Sequence, residues 1–226
     1  MKRSEINEIQ ESAKAFFREQ RFFLPPWSEW RPADWKTKGQ EIDEIRRNML
    51  GWDVTDFGSG NFLTRGLFLF TLRNGSPDGA GKPYAEKIMI VQNNQETPMH
   101  FHKNKMEDII NRGGARLMLE LYRASDTEGL SDASFPVSID GIRRDVKAGS
   151  IVVLMPGESI CLEPYTYHRF WAEGGACLTG EVSKVNDDNA DNRFLEDLGR
   201  FPEIEEDADP LHLLVSDYPT LAGAGK

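Results

Sequence analysis

The chain has 226 residues, enough to bury a substantial core. Its 39% hydrophobic and 28% charged composition is that of a soluble globular protein, with no apolar run near the ~18 residues of a membrane span. A formal charge of −10 without any stripe of Lys and Arg excludes a nucleic-acid footprint. The N-terminus, MKRSEINEIQESAKAFF, turns polar where a secretory signal would become continuously apolar, and it lacks a small-residue cleavage site. A cytoplasmic protein is expected. Cys161 and Cys177 lie in apolar, strand-like segments without CxxC spacing, which favours buried free thiols over a disulfide or a zinc site.

Taken in chain order, residues 4–20 carry Ile6, Ile9, Ala13, Phe16 and Phe17 at helical spacing. Ser4 is placed to cap this helix, with Glu5 and Glu8 near its positive end; Asn7 stands where a full capping box needs Glu or Gln. In FFLPPWSEWRPADW, Pro25, Pro26 and Pro32 forbid a continuous helix, and Trp27, Trp30 and Trp35 supply apolar surface for an ordered arm over the core. Packing is the ordinary role of such tryptophans. A second helix is expected over 39–50, with Ile42, Ile45 and Met49 on one face and Gly51 as its stop.

After Gly51 the period changes to that of strands. NFLTRGLFLFTLRNG, YAEKIMIVQ, ARLMLELYRA, SIVVLMP, SICLEP, HRFWAE and ACLTGEVSKV follow one another at short intervals, punctuated by Asn-Gly, Gly-Gly and Pro-Gly turns. This pattern predicts an all-β sandwich or barrel. The acidic tail from Asn186, with short apolar anchors in RFLEDL and LHLLV, reads as loops and one or two helical turns packed outside. GSGNF lacks the strand-turn-helix context of a phosphate loop, and no internal repeat or low-complexity linker is present. One elaborated domain is expected: residues 1–51 a helical arm, 52–185 the barrel and 186–226 the packed tail.

The chain has four histidines, and PMHFHKNKMED holds two of them one residue apart. If Lys103 to Met106 connect antiparallel strands, His102 faces Glu107 across the ladder, and His100 shares the face of His102. Imidazole and carboxylate suit borderline divalent metals, and a small protein ligand set leaves positions open for substrate. Of the remaining histidines, His168 opens a strand that returns from the Pro156-Gly157 turn, whereas His212 lies in an irregular tail segment. His168 is therefore the expected fourth ligand, and His212 is expected to be an ordinary hydrogen-bonded residue.

HxH followed by four residues and Glu, then Gly149, Pro156 and a later His, resembles the two signature motifs of cupins, small β-barrels holding a 3-His-1-Glu metal. The gap from Gly149 to Pro156 is one residue longer than in the usual motif, and the glycine follows the proline directly. LGWDVTDFG, KPYAEKIM, NKMEDIINRGG, GEVSKVNDDNADNRF and RFPEIEEDADP further resemble the D-lyxose isomerase family of cupin-type sugar ketol-isomerases, over nearly the full chain. The resemblance implies a cupin-like antiparallel β-barrel (jelly roll) with an N-terminal helical extension. It also implies a homodimeric, Mn²⁺-dependent isomerase that interconverts D-lyxose and D-xylulose, and often D-mannose and D-fructose. N/O ligation alone suits Mn²⁺, Co²⁺, Fe²⁺, Ni²⁺ and Zn²⁺.

Aldose-ketose isomerisation needs a base for the carbon proton and a group for the oxygen-side proton. Lys105, between two ligands, is a candidate for the oxygen side, against a solvated turn lysine. Glu181 would be an isolated carboxylate among apolar strand residues, hence paired or functional, and is the candidate base. An inward Lys87 would need a carboxylate partner such as Glu181. In the acidic NDDNADN cluster, Asp191 and, ranked below it, Asp188 are candidates for sugar hydroxyls if the loop folds over the barrel mouth. Glu203 is a further candidate carboxylate for substrate. Two other readings fit the same ligand set: an Fe²⁺ dioxygenase, which would consume O₂ in an aromatic-lined pocket, and a non-catalytic sugar-binding cupin, which would bind pentose without turnover.

Overall fold

The computed structural model describes residues 1–76, 79, 81–185, 187 and 191–218. Among the described residues, twelve strands form the body: β1 (Gly51–Thr55), β2 (Leu67–Arg73), β3 (Tyr84–Val91), β4 (Thr97–His102), β5 (Glu107–Ala124), β6 (Leu130–Ser131), β7 (Phe135–Ile139), β8 (Ile142–Val146), β9 (Ser150–Leu154), β10 (Ser159–Leu162), β11 (Thr166–Lys184) and β12 (Asn192–Phe194). Every pairing between them is antiparallel.

The two long strands, β5 and β11, serve both layers. One half of each lies in the order β1-β2-β3-β11-β5-β10-β7-β8. The other half of β11 carries β4 and then β12, while the other half of β5 carries β9. HRFWAE and ACLTGEVSKV, expected as separate strands, are therefore one strand with register shifts around Glu173–Cys177. Glycines allow the bend: Gly114 has a φ of 81°, and a Cβ there would lie 2.4 Å from the Ala176 carbonyl oxygen.

The core between the layers contains Leu67, Leu69, Met89, Ile109, Leu117, Leu119, Leu121 and Phe170. A second apolar layer covers the outer face of β1–β3, where Phe68, Phe70, Ile88 and Ile90 meet Ile6, Ala13 and Phe17 of α1 (Arg3–Glu19). The run LFLF is thus buried on both faces by simple alternation. The helix begins one residue earlier than expected. Ser4 is inside it, and its backbone N–H and hydroxyl both donate to Asp207.

The arm contains a 3₁₀ turn at Pro26–Glu29 and α2 (Pro32–Trp35). Trp27, Trp30 and Trp35 pack together edge-on or tilted, and Trp35 lies against Tyr218. The second expected helix is shorter, a 3₁₀ turn at Gln40–Ile42 and α3 (Asp43–Arg47). Met49 has left the helical region with a φ of 53°, so Gly51 opens β1 and does not terminate the helix. In the tail, β12 pairs with β4 and a 3₁₀ turn forms at Val215–Asp217. Both cysteines are free, Cys177 buried and Cys161 half-buried. No helix among the described residues is long and apolar enough to cross a membrane.

Candidate active site and metal centre

A cavity between the two layers encloses about 460 Å³ of space, part of it open to solvent. Leu67, Leu69, Lys87, Met89, Ile109 and Glu181 line it from one layer, and Thr97, His100, His102, His168 and Phe170 from the other. A wider opening, lined by Asn104, Lys184, Asp187 and Asp191 among others, lies on the other side of Lys105.

The expected ligands do meet, by a different geometry from the one expected. β4 pairs with β11 and β12, and no hairpin joins it to β5. The cross-strand neighbour of His100 is His168, which places both rings on one face, with centroids 4.2 Å apart. The connection 103–106 crosses from one layer to the other, so Glu107 reaches the histidines across the cavity and not along a ladder. Its Oε1 lies 3.3 Å from His102 Nε2 and 3.1 Å from His168 Nε2.

The histidine rings are set for ligation. His100 Nδ1–H donates to the Pro98 carbonyl at 2.8 Å and His168 Nδ1–H to the Thr166 carbonyl at 3.0 Å, which leaves each Nε2 lone pair facing inward. Ligand atoms of His100, His102 and His168 all lie within 4.8 Å of one another. Burial pushes the His100 ring well below the usual range, reinforced by the His168 and His102 rings, and burial with Lys105 pulls His102 down. Both rings are thus kept neutral. Burial would raise the Glu107 carboxyl, but the Lys105 ammonium beside it does most to outweigh this and hold it well below the usual range. Glu107 Oε1 is buried without a hydrogen-bond donor among the described residues. Three converging imidazoles around an ionised, undonated carboxylate oxygen fit a divalent cation.

Beside the ligands lies a buried chain of charges. Lys105 Nζ is 2.8 Å from Glu107 Oε2 and 2.9 Å from Glu181 Oε1, and Lys87 Nζ is 3.5 Å from Glu181 Oε1. Lys87 points inward toward the carboxylate that the sequence reading required of it. Burial opposes the charge on Lys105, yet Glu107 and Glu181 overcome it and raise its ammonium above the usual lysine range. Glu181 is held ionised in the same way, by Lys105 and Lys87 against burial. The Ser183 hydroxyl also donates to Glu181 Oε1, at 2.9 Å.

The remaining expected residues stand elsewhere. Asp191 accepts from the backbone N–H of Asn104 and Lys105 and from Asn104 Nδ2, at 2.8–3.0 Å. It grips the turn that carries Lys105 and does not line the inner cavity. Glu203 is exposed; its carbonyl accepts the Met1 ammonium at 2.8 Å, and its side chain is not part of the cavity wall. Asp188 lies outside the described residues. His212 is the ordinary core histidine expected of it, stacked on Trp52 and bonded through Nδ1 to the Trp30 carbonyl.

Sequence reasoning missed Thr97, Asn192, Phe194 and Arg200 in the cavity wall. One signal pointed to Arg200: Asp53 in the apolar strand GWDVT demands a cation, and Arg200 donates to it at 2.6 Å.

Comparison with known proteins bears on the family and the fold. The sequence model of the D-lyxose isomerase family matches residues 1–218. The chain is 50% identical to a D-lyxose/D-mannose isomerase of Serratia proteamaculans, over 96% of this chain and 98% of that protein. It is equally similar, with the same coverage, to a D-lyxose/D-mannose isomerase of Escherichia coli O157:H7. Among solved structures, the L-ribose isomerase of Cellulomonas parahominis with L-ribose superposes with a TM-score of 0.61 at 16% identity, covering 91% of this chain and 98% of that one; at this identity the likeness speaks for the cupin-like fold alone. With the family model spanning nearly its whole length and half its residues shared with two such enzymes, the chain belongs to the D-lyxose isomerase family.

Proposed function

We propose that the chain is a metal-dependent aldose-ketose isomerase that interconverts D-lyxose and D-xylulose, and D-mannose and D-fructose, through a cis-enediol. The observation that carries this reading is the buried Lys105–Glu181–Lys87 chain beside a three-histidine, one-glutamate cluster in one cavity. A divalent cation held by His100, His102, Glu107 and His168, with Mn²⁺ our choice over Co²⁺, Fe²⁺, Ni²⁺ and Zn²⁺, supplies Lewis-acid polarisation of the sugar oxygens when bound.

The chain's own residues do the rest. Glu181, kept ionised by two ammonium groups, takes the proton from one carbon and returns it to its neighbour. Lys105, kept charged, gives a proton to the carbonyl oxygen as it becomes a hydroxyl and takes back the proton that the neighbouring hydroxyl loses as it becomes the carbonyl. Lys87 fixes the Glu181 carboxylate, and Asp191 fixes the turn that presents Lys105. The apolar wall of Leu67, Leu69, Met89, Ile109 and Phe170 keeps bulk water from the reacting carbons.

We read residues 1–226 as one domain, cytoplasmic, and assembled as a symmetric homodimer that uses part of the N-terminal extension. Support for the last point is Phe23 in that extension, 81% exposed in the single chain. Sedimentation at 25.6 kDa across micromolar concentrations would overturn it. The catalytic reading is tested by stripping the metal, reloading each divalent ion and assaying ketose formation from a panel of aldoses. Aromatic lining by Phe57, Phe170 and Phe194 also suits the dioxygenase alternative, which oxygen uptake by the Fe²⁺-loaded protein would reveal.

A further inference from the structure

Thr97 opens β4, the strand that carries His100 and His102. Strict alternation would put it on the opposite face from both histidines, in the outer apolar layer with Met99 and Phe101. The register forbids this. His168 faces His100, while Phe170, two residues on, faces Thr97, three residues back. One extra residue on β4 makes a bulge at Pro98, a residue with no N–H to give the ladder. The bulge has two effects. It aims the Pro98 carbonyl at His100 Nδ1, and it turns Thr97 inward so that it lines the same cavity as the histidines.

Once inside, Thr97 is only 2% exposed, and its Oγ1 is buried with no hydrogen-bond partner among the described residues. An unpaired buried hydroxyl costs folding free energy that valine, of the same shape, would not. The neighbouring wall is apolar, with Phe57, Phe170 and Phe194, whereas Lys87, Lys105 and Glu181 stand in and beside the other layer. We infer that Thr97 is a specificity residue whose Oγ1 hydrogen-bonds a sugar hydroxyl at C3, C4 or C5, away from the reacting carbons. This assignment rests on the isomerase reading given above. It deepens that reading by naming a polar anchor on the wall opposite the proton-transfer groups. Sites that pair a substrate hydroxyl discriminate strongly against analogues that lack it.

The test compares Mn²⁺-loaded wild type, Thr97→Val and Thr97→Ser on D-lyxose and on its 3-, 4- and 5-deoxy analogues, with metal content and Tm measured alongside. Thr97→Val should lower kcat/KM on D-lyxose roughly tenfold or more, the loss of about one substrate hydrogen bond. Thr97→Ser should stay near wild type. On one deoxy sugar, the one missing the partner hydroxyl, Thr97→Val and wild type should be equal. Metal content should be unchanged, and the Tm of Thr97→Val equal or higher. An unchanged kcat/KM on D-lyxose, an equal loss on every deoxy sugar, or a loss that follows falling metal content would overturn the assignment. Absence of turnover by the wild type on every aldose would instead overturn the isomerase reading, and this assignment with it.

Discussion

Replacing Glu181 by glutamine removes one negative charge from a buried group of four: Lys87, Lys105, Glu107 and Glu181, all 5% exposed or less. In the folded wild type these carry two charges of each sign. In Glu181→Gln, Lys105 keeps its pair with Glu107, whose other oxygen faces the histidines, while Lys87 loses its pair with Glu181. Breaking a buried pair by removing one partner costs about 3–5 kcal/mol. For a chain of this size that corresponds to a Tm lower by roughly 6–20 °C. The pH dependence has a definite sign. Glu181 is held below its ordinary value in the folded chain, so the unfolded chain takes up its proton first. The stability it contributes is complete above the unfolded value of roughly 4.3 and is lost as pH falls through the folded value, so the gap between wild type and variant should close in acid. The assay is thermal denaturation of both proteins from about pH 2 to 8, with kcat measured at neutral pH, where a loss of ~10²-fold or more is expected for a general base. Adding Lys87→Met to Glu181→Gln restores charge balance and should recover part of the lost Tm without recovering kcat. An unchanged Tm in the single variant, or no recovery in the double, would refute the paired-charge account. A near-normal kcat in Glu181→Gln would refute its role as base.

Three further outcomes are expected. Isomerisation in D₂O should place deuterium on C1 of the ketose, as a protein base exchanges with solvent; mass spectrometry showing no incorporation would favour a hydride shift. Lys105→Met should retain metal and lose ~10²-fold in kcat, read by metal analysis and steady-state kinetics on the same sample. His168→Ala should lose most bound metal on dialysis while His212→Ala keeps it, since the ring of His168 lies in the ligand cluster and that of His212 lies on Trp52.

Much of the site was legible because its residues break a local pattern: two histidines one apart in a histidine-poor chain, and charged residues in otherwise apolar strands. Their identities could be read, but the route by which they meet could not. A hairpin is the shortest way to join His102 to Glu107, and nothing in KNKM reveals that this connection crosses between layers. Thr97 was hidden for a related reason. Its inward direction follows from a one-residue register shift against β11, and alternation counted along β4 alone gives the wrong face. HRFWAE and ACLTGEVSKV were read as two strands because Gly174-Gly175 is a turn signal, while here it bends one strand between layers. β12, three residues long, is too short for any period to show. The β character, the amphipathic first helix and its buried face were plain, since those depend on repeated alternation and not on one long-range contact.

The clasp between α1 and the tail has a consequence for synthesis. Arg3, 2% exposed, donates to both Glu206 and Asp217, the Met1 ammonium is held by the Glu203 carbonyl, and Asn7 and Gln10 reach Asp209 and His212. Helix α1 is thus completed by residues about 200 positions further along the chain. At about 5–20 residues per second, some 10–40 s separate the appearance of α1 from that of its partners. Early in that interval, before β1–β3 emerge, Ile6, Ala13 and Phe17 have no sheet face to cover, and the clasp, with its long sequence separation, closes late. The ribosome-bound chain therefore carries an unclasped apolar helix until residues 203–217 emerge, a natural holding point for chaperones that bind nascent chains.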